Sequence, residues 1–148
     1  MLEHRDRLTR GTGLLLGLTS TLLLTACGSS VPSNIGLNNN QLAPCPDSPN
    51  CVSSLSHLPE QAIEPLTASL DQISALLITL DEAQIILSSP TYLHAEFTSS
   101  LFRFVDDVEF LWDDQRQVTQ VRSASRIGYS DLGANRDRIE RLRLLLEP

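Results

Sequence analysis

Two cysteines, Cys45 and Cys51, are separated by five residues in "LAPCPDSPNCVSSL" (residues 42 to 55), with two prolines, an aspartate and an asparagine between them. Thiols so placed could clip a metal, run a redox cycle or form a covalent staple. A structural zinc site wants four ligands, and downstream of Cys27 the chain offers only His57 and His94 besides carboxylates. Redox chemistry favours Cys-x-x-Cys spacing and a cationic neighbour that lowers the thiol pKa, whereas the nearest charged residue here is Asp47. A disulfide would close a short ring that Pro46 and the turn at Pro49 are suited to fold back. Loop entropy assigns such a ring about 2 kcal/mol. The expected state is a Cys45–Cys51 disulfide, with no metal.

A second constellation lies further on. Alternation in "TYLHAEFTS" sends Leu93, Ala95 and Phe97 to one face of a strand and His94, Glu96 and Thr98 to the other. In "VDDVEFLWD", Val108, Phe110 and Trp112 oppose Asp107 and Glu109. A sheet built from these strands gathers His94, Glu96, Asp107, Glu109 and Arg122 on its polar face. Such a set could do general acid-base work, with Glu96 or Glu109 as base and His94 as its partner. The plainer expectation is a half-exposed face of solvated groups and cross-strand ion pairs.

The third is "RSASRIGYSDLGANR", which packs Arg122, Arg126, Tyr129, Asp131, Asn135 and Arg136 around Gly128 and Gly133. Planar guanidinium forks next to a helix start suit a small anion or a carboxylate. The structural alternative has Asp131 or Asn135 capping the helix while the arginines pair with Asp106, Asp107 and Glu109. No phosphate loop, Gly-x-Ser-x-Gly or His-Glu-x-x-His is present, and no cofactor is expected.

These residues must be positioned by one modest domain. The chain has 148 residues, 41% hydrophobic and 20% charged, with a net charge of -7. An acidic body repels phosphates, so nucleic acid is not an expected partner. The chain has eleven arginines and no lysine, and residues 28 to 100 carry seven acids and no Lys or Arg.

The first thirty residues have an arginine-bearing start and an apolar run from Leu14 to Leu24, too short to span a bilayer, which needs about 20 residues. The run ends in "LTAC", which resembles the lipobox of bacterial lipoproteins. That resemblance implies a signal peptide over 1–26, cleavage before Cys27, and acylation of Cys27. Gly28 rather than an aspartate follows the cysteine, which favours the outer membrane, facing the periplasm. Taking Cys27 as the lipid anchor leaves Cys45 and Cys51 as an even pair in an oxidising compartment. Residues 27–41 read as the lipidated cysteine and a flexible tether, and 42–148 as the folded domain.

Within that domain, Leu70, Ile73, Leu76, Leu77 and Leu80 mark an amphipathic helix with Thr67 or Ser69 as N-cap. Four strands follow: two turned at Ser89-Pro90, a third through Trp112, and a fourth in "QVTQVRSASR" that lacks strict alternation. A last helix carries Ile139, Leu142, Leu145 and Leu146, with Asp137 placed to pair with Arg141. The expected fold is α+β: two layers, a four-stranded antiparallel sheet with an N-terminal and a C-terminal helix on one face.

Three blocks, "APCPDSPNCVSS" (43 to 54), "AEFTSSLFRFVDDVEF" (95 to 110) and "VRSASRIGYSDLGANRDRIERLR" (121 to 143), resemble in order and separation the bacterial and plastid family named domain of unknown function 1499. The resemblance covers about residues 42 to 147 and implies the domain's extent, not an activity. The expected function is a lipid-anchored cell-envelope protein, a non-enzymatic module binding an unknown protein or small anionic ligand, or supporting envelope structure. The opposing expectation is an envelope hydrolase or other acid-base enzyme using His94 with Glu96 or Glu109.

Intact mass of the exported protein checks the cysteine assignments. Reduction should add two hydrogens, and the acyl mass should map to an N-terminal Cys27; two free thiols at Cys45 and Cys51 would overturn the staple.

Overall fold

A computed structural model describes residues 30–147. Residues 1–26, read above as a signal peptide, Cys27 and the first residues of the stretch read as tether lie outside the described residues. The elements in chain order are β1 (Leu37–Asn38), β2 (Gln41–Leu42), β3 (Cys51–Ser53), α1 (Leu70–Leu77), β4 (Ala83–Ser88), β5 (Tyr92–Thr98), β6 (Val105–Asp113), β7 (Val118–Ser125) and α2 (Ala134–Leu146). The class is α+β, as expected, but the main sheet has five strands in the order β3-β7-β6-β5-β4, every pairing antiparallel. A separate two-stranded sheet joins β1 to β2.

The four-stranded expectation therefore falls short at β3. Its three residues lie inside the proline-rich cysteine segment, too short to show a period. They become a strand because the ladder of β7 accepts them, Cys51 opposite Ala124 and Ser53 opposite Arg122. The disulfide from Cys45 to Cys51, with Cα atoms 5.6 Å apart, ties the segment entering β3 to the strand itself. The hairpin β1–β2 lies in and just beyond the stretch read as tether. Asn39 and Asn40 make its turn with φ of 51° and 61°, the left-handed conformation that asparagine tolerates and that a two-residue hairpin turn requires.

One face of the sheet carries both helices. Leu93, Ala95, Phe97, Val108, Phe110 and Val121 from the strands meet Leu70, Ile73 and Leu77 of α1 and Ile139 and Leu142 of α2 in a single core. Ser69 begins α1 with a capping box, its side chain accepting from Gln72 N while the Gln72 side chain accepts from Ser69 N. In α2, Leu146 packs against the core while Leu145 is exposed, because positions 139, 142 and 146 follow the helical period and 145 lies off that stripe. Arg141 does not pair with Asp137; it reaches across to Glu82 at the start of β4. The irregular composition of β7 also finds its reason, since Thr119 through Ala124 are buried on both faces and alternation has no solvent side to mark.

Candidate functional site

The second face of the sheet is polar in sequence but closed to water. His94 is 3% exposed, Asp107 1%, Glu109 0% and Arg122 1%. Strand register sets His94 opposite Glu109, Glu96 opposite Asp107, and Glu109 opposite Arg122. What covers them is the chain before β3. Gly36, at φ 103° immediately before β1, donates its N–H to Glu109 Oε1 at 2.8 Å, and Pro32, Asn34, Ile35, Pro46 and Asn50 wall a cleft of about 230 Å³ together with Asp107, Arg122 and Arg126. The half-exposed face expected from alternation is thus corrected: a strap of residues 32–42 replaces solvent.

Two charge clusters fill this layer. In the first, Arg122 Nη1 donates to Glu109 Oε2 at 2.9 Å, and the Tyr92 hydroxyl donates to Glu109 Oε1 at 2.7 Å. Burial, then the hydrogen bond to the Glu109 carboxylate, pushes the Tyr92 phenol well above its ordinary pKa, so it stays a donor. In the second, Arg126 grips Asp107 with both arms of its fork, Nε to Oδ2 and Nη2 to Oδ1, each at 2.7 Å, and also pairs with Glu96. His94 Nε2 lies 2.8 Å from Asp107 Oδ1. Burial pushes the Asp107 carboxyl up, but the Arg126 hydrogen bonds and then His94 outweigh it and hold the group below its ordinary value.

The remaining residues of the arginine–glycine segment build a brace rather than a fork. Asn135 is fully buried at the start of α2 and donates to Asn50 O at 3.0 Å, Ser125 Oγ at 3.0 Å and Asp131 Oδ2 at 2.7 Å, while its carbonyl oxygen accepts from Ser123 Oγ at 2.6 Å and Arg138 Nη1 at 2.7 Å. Asp131 caps α2 by accepting from the N–H of Gly133 and of Asn135. Burial raises its pKa, and those amides lower it further than burial raises it. Arg136 donates to the carbonyls of Ala62 and Glu60, and it is Arg138, not Arg122, Arg126 or Arg136, that pairs with Asp106. Tyr129 is exposed.

The fold therefore brings His94, Glu96, Asp107, Glu109 and Arg122 into one layer, as the sequence reading expects, and adds Arg126 from the arginine–glycine segment just past β7. The sequence reading did not single out Tyr92, Gly36 or Asn50. Tyr92 was legible, being in phase with His94 and Glu96 on the same strand; the other two act through backbone groups that no side-chain pattern announces. Among the described residues, no group of three or more His, Cys, Asp or Glu is arranged to hold a metal ion.

Both clusters make stability claims. Arg122→Met leaves Glu109 charged and buried with its cation gone, which should cost about 3 to 5 kcal/mol. Adding Glu109→Gln, which removes the charge but keeps an acceptor for Tyr92 and Gly36, should recover most of that loss in a urea-denaturation cycle. A double variant no more stable than the single one would contradict the pairing. For pH, the folded-state pKa of Asp107 and of Asp131 lies below the reference 3.8. Each thus contributes stability that is full above its unfolded value and is lost as pH falls through its folded one. Unfolding free energy should drop below about pH 4, less steeply in Asp107→Asn. An acid limb unchanged by that substitution would exclude Asp107 as a source.

No curated protein matches the chain, and no solved structure does. A family model does, over residues 41–146, which takes in the sheet strands β3 to β7, both helices and every residue of the two charge clusters except the strap's Gly36. The chain belongs to the family described as protein of unknown function (DUF1499).

Proposed function

We propose that this is a lipid-anchored protein of the bacterial cell envelope, at the outer membrane facing the periplasm, whose domain is a binding or structural module and not an enzyme. The anchor is supported by "LTAC" at 24–27 and by cysteine pairing: with Cys45 and Cys51 joined, Cys27 is the cysteine left over. Among the described residues no helix is long and apolar enough to cross a membrane, so a membrane attachment by this route would be through acyl chains.

The non-enzymatic reading rests on one observation. Every group nominated for acid-base work is already held by partners inside the protein: His94 by Asp107, Glu109 by Arg122, Tyr92 and Gly36, Glu96 by Arg126. A general base has to reach a substrate proton at hydrogen-bond distance, whereas His94 and Glu109 are buried and the strap's Gly36 already takes one Glu109 oxygen. Small anions fare little better in this layer, where the two guanidiniums of Arg122 and Arg126 face the three carboxylates of Glu96, Asp107 and Glu109. What the layer does well is fix the strap, and with it the direction in which the chain leaves toward Cys27.

The discriminating experiment compares two isosteric sets in a cell-envelope phenotype, with folding checked by thermal unfolding. His94→Asn, Glu96→Gln and Glu109→Gln, introduced singly, should leave the phenotype in proportion to the stability each retains. Loss of phenotype in a variant that remains as stable as the parent would sink the binding reading in favour of an acid-base enzyme.

A further inference from the structure

The exposed apolar side chains of the domain are unevenly placed. The loop between β5 and β6 (99–104) presents Leu101, Phe102 and Phe104, and the segment between β7 and α2 (126–133) presents Ile127, Tyr129 and Leu132. Leu132 is 96% exposed, Leu101 78% and Tyr129 77%. Both loops leave the same end of the sheet: Thr98 pairs with Val105 and Asp106 with Ser125, and Arg126 N donates to Val105 O.

Leu132 is costly twice over. It is fully in water and holds φ at 55°, a conformation bulky side chains avoid. Neither folding nor solubility favours a leucine there. The 99–104 loop is not loose either: Ser99 N and Phe104 N donate to Phe104 O and Ser99 Oγ, Arg103 N donates to Ser99 O, and the rings of Phe102 and Phe104 stack with centroids 5.5 Å apart. Within the two loops the one carboxylate is that of Asp131, turned inward to cap α2; Glu82 and Asp137 line a cleft beside Ser99 and Ser100, where Arg138 and Arg141 accompany them. Arg103 lies exposed among the six apolar residues.

The start of the described chain points to the same end. Pro32 and Asn34 share their cleft with Ser125 and Arg126, the residues that lead into the 126–133 segment. From Pro32 back to Cys27 there are five peptide steps, at most about 18 Å of chain. An acyl group on Cys27 would therefore hold this end of the sheet against the bilayer.

We infer that the loops 99–104 and 126–133 form a membrane-docking face, inserting Leu101, Phe102, Phe104, Ile127, Tyr129 and Leu132 into the lipid interface beside the acylated Cys27. This rests on the lipid-anchored reading above. The occupant is a lipid surface because the leash is too short to carry the patch elsewhere and because aromatic and aliphatic tips with an arginine among them suit the headgroup boundary.

The test uses the full-length lipidated protein reconstituted into phosphatidylcholine vesicles with and without bromine on the acyl chains. Trp112 is the chain's single tryptophan and lies toward the far end of β6 from Val105, about 23 Å along the strand. Probes are Phe102→Trp and Leu132→Trp in a Trp112→Phe background, and the same probes with Trp112 retained, read by difference, in case the core resents the phenylalanine. Expected are blue-shifted emission at 102 and 132 that is lost in brominated vesicles, and Trp112 emission that is not. Protein that floats with the vesicles while both probes emit as in water overturns the docking face and leaves the anchor standing. Protein that does not float overturns both. Blue-shifted emission insensitive to bromine means that a second copy or another protein covers the patch, and that too overturns the proposal.

Discussion

Glu109 is the residue the architecture has to accommodate. A carboxylate with no solvent exposure loses hydration worth several kcal/mol, and the loss is tolerable only where donors replace the water. Three donors do so, and they come from three separate parts of the chain: Gly36 N before the first hairpin, the Tyr92 hydroxyl on β5, and the Arg122 guanidinium on β7. Satisfying one side chain thus fixes the relative positions of the strap, an inner strand and its neighbour across β6. The geometry is not fully compensated, because Arg122 Nε is buried without a partner among the described residues. Such a layer contributes less to stability than to specificity: few alternative packings would supply all three donors at once.

The two faces of the sheet consequently do different work. The helical side is a continuous apolar core in which leucines and phenylalanines can exchange shape at modest cost. On the strap side, Asp107 serves Arg126 and His94 simultaneously, and Arg126 divides itself between Asp107 and Glu96. Removing one member there orphans the others. The apolar face drives collapse, and the polar face decides where the N-terminal segment is laid down.

Much of this was readable from residue order. Period-two alternation in β5 and β6 assigned Leu93, Ala95, Phe97, Val108 and Phe110 to the core, and the three-and-four spacing of Leu70, Ile73 and Leu77 placed α1 with a cap at Thr67 or Ser69, of which the fold uses Ser69. What alternation cannot state is the identity of the medium on the polar side. His94 and Glu109 look the same in sequence whether they face water or a strap, and only the tertiary position of Gly36 decides it. The two missing pieces of sheet share another cause. β3 is three residues long and β1 and β2 two each, so they carry no period; they exist because a longer strand, a disulfide or an asparagine turn holds them in register.

The two ends of the sheet are held by different parts of the chain. The Cys45–Cys51 disulfide, the Asn135 hub, the Asp131 cap and the Asn50 carbonyl that accepts from both Ser125 N and Asn135 all gather where β7 ends and α2 begins. At the opposite end, Thr119, across from Trp112, exchanges backbone bonds with Leu66 and donates its hydroxyl to Ala68 O, while the turn from β6 to β7 is closed locally by Arg116 N to Asp113 and Gln117 to Asp114. The chain before β1 enters at the first of these ends, where Pro32 and Asn34 share a cleft with Ser125, so the N-terminal segment is laid against the corner that is stapled, capped and hydrogen-bonded across three segments.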